Sequence, residues 1–296
     1  MRWLWLVTLV AGLACGGRSI RVGGPDGGDS DVQTSDARPD AQPDGRNDTE
    51  AAPDLLPVPP GCEDVPFAGR FYTGFPSELS FAEALQIALR QRQLGYPIDI
   101  EVRNPSDTEG LQCFDDLIAG TVVLTGCTGP LRITKLPRGT KKLIADTDCP
   151  VVDMSGVAGV AKVKIGDASA NTDFSALVGI PDVEILGKAV RLEDVAPYVL
   201  DAAILLLTVK ATTLVPLNDA RAQYLWVNAQ GLHSVADYTP SPTLSCFSIN
   251  LDPTATSDEQ AAVAEKLCSA LRRGTNCPDY GGNNCCWAVQ DIYPGC

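Results

Sequence analysis

The side chains that could carry out catalysis are few and scattered along this 296-residue chain. His233 is its one histidine, and the segment Leu232-His-Ser-Val235 places it between two apolar residues, facing solvent. The carboxylate pairs Asp115-Asp116 and Glu193-Asp194 could serve glycoside hydrolysis, but sequence neighbours point in different directions. The motifs HExxH, GxSxG, the phosphate-binding GxxxxGKS/T and a strand-linked GxGxxG are all missing from the sequence. We therefore predict a non-enzyme, with no catalytic residue and no cofactor.

Cysteine supplies the other reactive side chains, eleven of them against the single histidine. This composition is typical of an oxidising compartment, where thiols form disulfides. Cys127 and Cys149 are 22 residues apart, one coil of the repeat described below, and adjacent parallel strands bring residues to disulfide distance. We predict that bond. The pairing of the others stays open: Cys62, Cys113, Cys246, Cys268, Cys277, Cys285, Cys286 and Cys296.

Zinc is the competing use for the six cysteines of the last fifty or so residues. That tail contains neither CxxC nor histidine, and its only paired thiols are vicinal. Oxidation in an exported protein would consume such thiols, so we predict no metal site.

The N-terminus has the layout of an export signal. A basic start, Met1-Arg2, precedes the apolar run Trp3 to Ala11, which is too short to span a bilayer, and Gly12-Leu13-Ala14-Cys15 follows. These residues resemble a bacterial lipoprotein signal, which implies cleavage after residue 14 and lipidation of Cys15. Loss of Cys15 to lipid also leaves an even ten cysteines. We expect a lipid-anchored protein of the bacterial cell envelope, on the outer membrane or cell surface; the alternative is secretion.

Residues 15–60 differ from the rest in composition, being rich in Asp, Pro and Gly with almost no large apolar side chain before Leu55. Such a segment buries too little apolar surface to offset its chain entropy, so we predict a disordered tether. The whole chain carries 37 acidic and 23 Lys and Arg residues, a net charge of −14. That balance excludes a nucleic-acid partner held by net charge.

Two helical caps are predicted on either side of the central region. In the N-terminal cap, residues 61–120, the capping box Ser80/Glu83 opens a helix over 81–94, and the alternating segment Ile98–Val102 predicts a strand. In the Cys-rich C-terminal cap, residues 242–296, Ser257 with Gln260 opens a helix over 257–273.

Residues 121–241 contain a repeat. Pairs of apolar residues three apart recur at intervals of 21, 20, 18, 22 and 18 residues, and a short alternating apolar run precedes each later pair. This spacing predicts a solenoid with coils of about 20 residues, each giving one parallel strand. The pairs are Ile133/Leu136, Met154/Val157, Phe174/Leu177, Leu192/Val195, Leu214/Leu217 and Leu232/Val235.

Two coils fit the pattern LxxLxLxxNxL, namely Ile204 to Leu214 and Ala222 to Leu232, with Thr212 and Gln230 at the Asn position. Weaker copies run from Val160 to Ala170 and from Asp182 to Leu192. Over about 120 residues the chain thus resembles a leucine-rich repeat protein, which implies a β-rich α/β solenoid with one strand per coil and helical, disulfide-bonded caps. The alternative is a parallel β-helix, with several strands per coil.

In a one-strand coil, the side chains between the buried positions point to one open face. Five lysines and an aromatic pair on that face favour a docking surface, because aromatic rings carry interface energy and lysine steers anionic partners. We therefore expect a binding or adhesion module for a protein or an envelope glycan; the alternative is a β-helical carbohydrate-active enzyme using paired carboxylates. The candidate binding residues are Lys142, Lys162, Lys164, Glu184, Lys188, Thr208, Lys210, Tyr224, Trp226 and Asn228.

Overall fold

The computed structural model describes residues 55–63, 65, 70–72, 79–244 and 246–271. Its strands are β1 (Arg70–Tyr72), β2 (Ile98–Arg103), β3 (Ile118–Thr125), β4 (Leu131–Arg132), β5 (Lys142–Asp153), β6 (Lys162–Asp173), β7 (Asp182–Arg191), β8 (Ile204–Lys210), β9 (Tyr224–Gln230) and β10 (Cys246–Asn250). The α-helices are α1 (Phe81–Gln93), α2 (Leu192–Val199) and α3 (Ser257–Leu271).

All the strands of the described residues join one sheet. Its order is β1-β2-β3-β5-β6-β7-β8-β9-β10, with β4 paired to β5 beside this path. Only β1 is antiparallel to its neighbour, so nine strands form a large parallel sheet with few helices. Parallel strands that pair in chain order, each reached by a return segment, make a strand-rich solenoid.

Several predicted features lie outside the described residues. They are the signal peptide 1–14, the lipidation site Cys15, the tether apart from its last residues, and the chain after Leu271 with Cys277, Cys285, Cys286 and Cys296.

Among the described residues there is no helix with the length and apolar character needed to cross a bilayer.

Inward-facing side chains stack from coil to coil and form the core. One row consists of Val122, Leu143, Val163, Val183, Leu205 and Leu225. The next row consists of Leu124, Ala145, Ile165, Ile185, Leu207 and Val227. Every one of these side chains is fully buried. Each large aliphatic member contributes about 1.5 to 3 kcal/mol, which no single coil could obtain without its neighbours.

The return half of each coil buries the apolar pair that the repeat predicts. Eleven of the twelve side chains are fully buried, and Leu136 is partly buried against them. Four of the six pairs are held by helices: three by the short 3-10 helices Ser155–Val157, Ser175–Leu177 and Val215–Leu217, and one by α2, where Leu192 and Val195 fall on its buried face.

Aspartate side chains at the ends of β5 and β6 form the turns that begin these return segments. The Asp173 carboxylate accepts a hydrogen bond from the Ser175 N–H at 2.9 Å, and this bond lowers the pKa of Asp173 because it favours the charged form. Asp153 holds the Ser155 N–H in the same way, also at 2.9 Å.

A second, shorter ladder departs from the prediction of one strand per coil. Both β5 and β6 bend, and their later residues pair again on the far side of the bend, Val151 with Ala168 and with Leu131 of β4. The close approach depends on Gly166, where an added Cβ would lie 2.4 Å from the Thr147 nitrogen. Beyond β6 the main sheet takes one strand from each coil.

The register between coils corrects the leucine-rich alignment. Leu205 pairs with Leu225 and Leu207 with Val227, whereas the motif alignment would place Leu207 opposite Leu225. The coil of β8 is thus two residues out of step with the pattern, and Ile204 is half-buried on the outer side instead of in the core. The copy begun at Asp182 is shifted as well, since Val183 pairs with Val163.

The asparagine position of the pattern also differs. Thr212 and Gln230 are both exposed, so they do not form a buried hydrogen-bonded ladder.

The N-terminal cap covers one end of the core. Helix α1 starts with the predicted capping box, since the Ser80 hydroxyl accepts from the Glu83 N–H and the Glu83 carboxylate accepts from the Ser80 N–H. Its Phe81 ring lies edge-on to Phe114 at 5.7 Å. A disulfide between Cys62 and Cys113 fastens the chain before the helix to the segment after β2.

The C-terminal cap adds helix α3 beyond the last strand. The helix begins at Ser257 as predicted, but its cap is Thr256 with Glu259, one residue earlier than expected. The Lys266 ammonium donates to the backbone oxygens of Val235 and Ala236, which joins the helix to the return half of the last coil.

Candidate ligand-binding face

The candidate site is the outer side of the main sheet, here called the open face. Nine of the ten predicted binding residues lie on it, because in each strand they alternate with fully buried side chains, whereas Lys188 is exposed in the irregular segment of β7 between Leu186 and Arg191. Strand pairing arranges the outer side chains in rows. The second row, for example, consists of Val123, Ile144, Lys164, Glu184, Leu206, Trp226 and Ser248.

The five lysines do not form one cationic strip, contrary to the prediction. Lys142 and Lys162 share the first row and Lys164 lies in the second, while Lys188 and Lys210 are exposed near the other end of their strands. Lys142 and Lys162 are paired with each other, but the other three lysines do not occupy positions equivalent to theirs.

Two of the lysines are also neutralised. Lys162 Nζ lies 2.7 Å from Asp182 Oδ2, and Lys164 Nζ lies 2.8 Å from Glu184 Oε1, each acid being on the next coil. The acids are 17% and 18% exposed and the lysines 39% and 35%, so water screens both pairs. Each is therefore worth at most about 1 kcal/mol. Their main effect is to cancel charge at the centre of the open face.

We call the open-face side chains of β5 to β7 the charged half: Lys142, Ile144, Lys162, Lys164, Asp182 and Glu184. One oxygen of Asp182, Oδ1, is buried and accepts no hydrogen bond from any described residue. The remaining polar groups of the two central pairs are occupied by each other.

We call eight open-face side chains of β8 to β10 the aromatic half: Ile204, Leu206, Thr208, Tyr224, Trp226, Asn228, Ser248 and Asn250. Lys210 and Gln230, the last residues of β8 and β9, are exposed at its rim. Trp226 is half-buried and stands between Leu206 of β8 and Ser248 of β10 in its row. Tyr224 stands beside Ile204 in the first row. Together they make an apolar strip over two neighbouring strands.

Neutral polar side chains border this strip. Thr208, Asn228 and Asn250 pair in register along the third row. Within the described part of the chain, the side chains of these three residues and of Ser248 make no hydrogen bond, and neither does the Trp226 indole N–H. Their hydrogen-bonding capacity faces solvent.

Ile204 and Leu206 lie on the open face, although the sequence did not identify them as surface residues. The run Ile204 to Leu207 is wholly apolar, so it carries no alternation that tells inner from outer side chains. The 20-residue interval from Leu205 to Leu225 is the signal that could have identified them.

Three of the four acidic groups proposed for catalysis lie against arginine side chains. Asp115 accepts from the Arg138 N–H at 2.7 Å and from its Nε at 2.9 Å, and Asp116 lies 3.5 Å from the same guanidinium. Glu193 lies 3.6 Å from Arg191.

His233 lies beside helix α3, with Nδ1 3.4 Å from Glu259 Oε1. Near it, Asp252 accepts hydrogen bonds from the Thr254 hydroxyl, the Thr254 N–H and the Gly231 N–H, which lower the pKa of Asp252 to about 2. Hydrogen bonds from Thr256 likewise lower the pKa of Glu259. These groups fix the turn after β10 and the start of α3.

Burial raises the pKa of the Tyr238 phenol to about 12, so this residue stays neutral. In the described ranges, no three His, Cys, Asp or Glu side chains group as metal ligands would.

The structure contains the disulfide between Cys127 and Cys149, with the two Cα atoms 4.8 Å apart. Cys149 belongs to β5, so this bond ties β5 to the loop after β3. Together with Cys62–Cys113, it indicates an oxidising compartment.

Comparison with protein-family models, with curated proteins and with solved structures finds no match to this chain.

Proposed function

We propose that this protein is an exported, lipid-anchored surface protein whose solenoid acts as a binding or adhesion module. The observation that carries the proposal is the aromatic half of the open face, where a tryptophan, two aliphatic side chains and neutral polar groups without a hydrogen-bond partner among the described residues share one side of the sheet. Tryptophan and tyrosine at the centre of an apolar patch are the side chains that most often dominate binding energy.

The location rests on two supports. Two disulfides are formed in the described residues, which agrees with export. The resemblance of the N-terminal segment to a lipoprotein signal adds the anchor at Cys15 and the bacterial envelope, with secretion as the alternative.

For the architecture, we favour the leucine-rich type over the parallel β-helix. Most returns are 3-10 turns or a short helix, and only β4, β5 and β6 add a second ladder. The register shift at β8 and the exposed Thr212 and Gln230 make the relation one of general architecture and not of motif.

Binding is favoured over catalysis because of how the acids are engaged. Asp115 and Asp116 share Arg138, and Asp252 is fixed by three donors at a turn. Each of these contacts has a structural purpose that accounts for the acid without a catalytic role.

The test is sedimentation of purified full-length protein with isolated cell envelopes of the producing organism. Trp226→Ala should weaken retention at least about tenfold, and Lys210→Ala, at the rim of the aromatic half, about twofold to threefold. Val178→Ala is the matched control, since Val178 is 62% exposed but lies on a return segment. Equal retention of all four proteins would contradict a binding role for the open face.

A further inference from the structure

We propose that the aromatic half of the open face binds neutral carbohydrate. This inference rests on the proposed binding function and narrows it to one class of ligand. The occupant follows from three observations: the apolar platform, the kind of polar groups around it, and the paired charges where it meets the charged half.

The platform is the face of Trp226 with Leu206 next to it. Trp226 is half-buried, so its orientation is restrained by its neighbours in β8 and β10 while part of the indole remains accessible. A flat ring of this kind matches the face of a pyranose that carries C–H groups, and it loses little conformational entropy on binding.

The polar border suits hydroxyl groups. Asn228 and Asn250 each offer an amide N–H₂ and an oxygen, and Thr208 and Ser248 each offer a hydroxyl. All four side chains lack hydrogen-bond partners among the described residues. Sugar hydroxyls donate and accept at once, so groups that also do both are their natural complement.

Charge is balanced where the aromatic half meets the charged half. The acid next to Leu206 in the second row is Glu184, and its charge is cancelled by Lys164 at 2.8 Å. The acid next to Ile204 is Asp182, cancelled by Lys162 at 2.7 Å. At this boundary a charged ligand would find acids and lysines already paired with each other, whereas a neutral ligand needs no counter-charge. Lys210, two residues beyond Thr208, is the one rim charge on β8.

The polar groups also repeat from coil to coil. Thr208, Asn228 and Asn250 occupy equivalent positions on successive strands, which lie about 4.8 Å apart. A ligand running across the strands meets a similar polar group at each step, which fits a polymer of similar units better than a single residue of a protein.

The experiment uses the full-length protein and two kinds of probe. Immobilised dextran, xylan and mannan, whose sugar residues carry vicinal diols, are the neutral probes, with heparin and polygalacturonate as charged ones. Isolated envelopes are tested after periodate, which cleaves vicinal diols, and after protease. We expect at least one neutral glycan to retain the protein. Binding to envelopes should be lost after periodate treatment and should persist after protease treatment. Binding should change little between about 50 and about 500 mM salt.

Variants assign the binding to the aromatic half. Trp226→Ala should weaken neutral-glycan binding at least about tenfold and Asn228→Ala about threefold to tenfold. Trp226→Phe keeps an aromatic ring at this position and is the conservative control for loss of folding. It should weaken binding less than Trp226→Ala. Tyr96→Ala is the control, since Tyr96 is 72% exposed on the N-terminal cap, and it should leave the affinity unchanged.

Three results would overturn the proposal: no retention on any neutral glycan, retention that Trp226→Ala leaves intact, or retention only on charged polymers with loss at high salt. If glycan probes fail but Trp226→Ala still weakens envelope binding and protease abolishes it, the ligand is a protein and the binding function stands. If Trp226→Ala changes neither assay, both proposals are wrong.

Discussion

The two halves of the open face share a backbone and differ in what their side chains do with each other. In the charged half, Lys162 and Lys164 reach acids on the next strand, so the coils satisfy one another. In the aromatic half, Thr208 and Asn228 lie in the same kind of register but make no side-chain hydrogen bond within the described residues. Equal geometry therefore gives paired charges at one end and, at the other, polar side chains that have no hydrogen-bond partner among the described residues.

This contrast shows why local charge is a poor guide to a docking surface in a stacked fold. Each outer side chain has neighbours one coil away, and a charge that looks free in the sequence is paired when its neighbour carries the opposite sign. The polar groups left for a ligand are those whose neighbours cannot use them.

We expect the largest effect from a substitution that forces apart the backbones of β5 and β6, two strands of the charged half. An added Cβ at Gly166 would lie 2.4 Å from the Thr147 nitrogen and 2.5 Å from the Asp146 carbonyl carbon, so the two coils must separate. Gly166→Ala should lower the free energy of unfolding by about 2 to 3 kcal/mol, measured as a lower denaturant midpoint.

Gly129→Ala is the matched control, because a Cβ there meets nothing within 4 Å. Hydrogen exchange should show faster opening of β5 and β6 in Gly166→Ala than of β8 and β9. Uniform loosening of the whole sheet would mean that the halves are one cooperative unit.

A smaller effect sharpens the contrast at the boundary of the two halves. Glu184→Lys places two lysines opposite each other in the second row, and we expect a loss of about 0.5 to 1 kcal/mol at low salt. The double variant Lys164→Glu with Glu184→Lys restores opposite charges and should recover most of that loss. A loss that neither high salt nor the double variant removes would show that packing, not charge, determines the effect.

Much of the architecture could be predicted because the same pattern of buried apolar residues recurs in successive coils. The apolar pairs marked the buried return positions, and alternation marked the outer side chains of each strand. The second ladder could not be predicted, because the bends of β5 and β6 depend on the close approach at Gly166.

The chemistry of the face was harder to predict than its location, because it depends on register. Lys162 and Asp182 are 20 residues apart, as are Lys164 and Glu184, so the repeat interval contained the two ion pairs. The leucine-rich alignment hid this relation by shifting the copies at Asp182 and Ile204. In the aromatic half, the apolar run from Ile204 gave no alternation to correct it.

The smallest expected effect compares a turn aspartate from each half. Asp173 is the last residue of β6, in the charged half, and accepts hydrogen bonds from Ser175. Asp252 comes after β10, in the aromatic half, and accepts hydrogen bonds from Thr254 and also from the Gly231 N–H. Hydrogen bonds lower the pKa of both, that of Asp252 to about 2 from a usual 3.8. A carboxyl group with a lowered folded pKa stabilises the fold above its unfolded pKa, and this contribution is lost as pH falls through the folded value.

Stability should therefore decline as pH falls from about 5 to about 2, and Asp252→Asn should remove more of that decline than Asp173→Asn, because Asp252 joins two coils as well as closing its own turn. Thr254→Val removes the strongest donor to Asp252 and should flatten the same part of the curve, while Thr212→Val, at an exposed threonine, serves as the control. Denaturant midpoints measured across this pH range provide the readout. If Asp173→Asn reduced the pH dependence of stability as much as Asp252→Asn, the hydrogen bond between Gly231 and Asp252 would add nothing to stability. The turn after β10 would then be stabilised no more than the turn after β6.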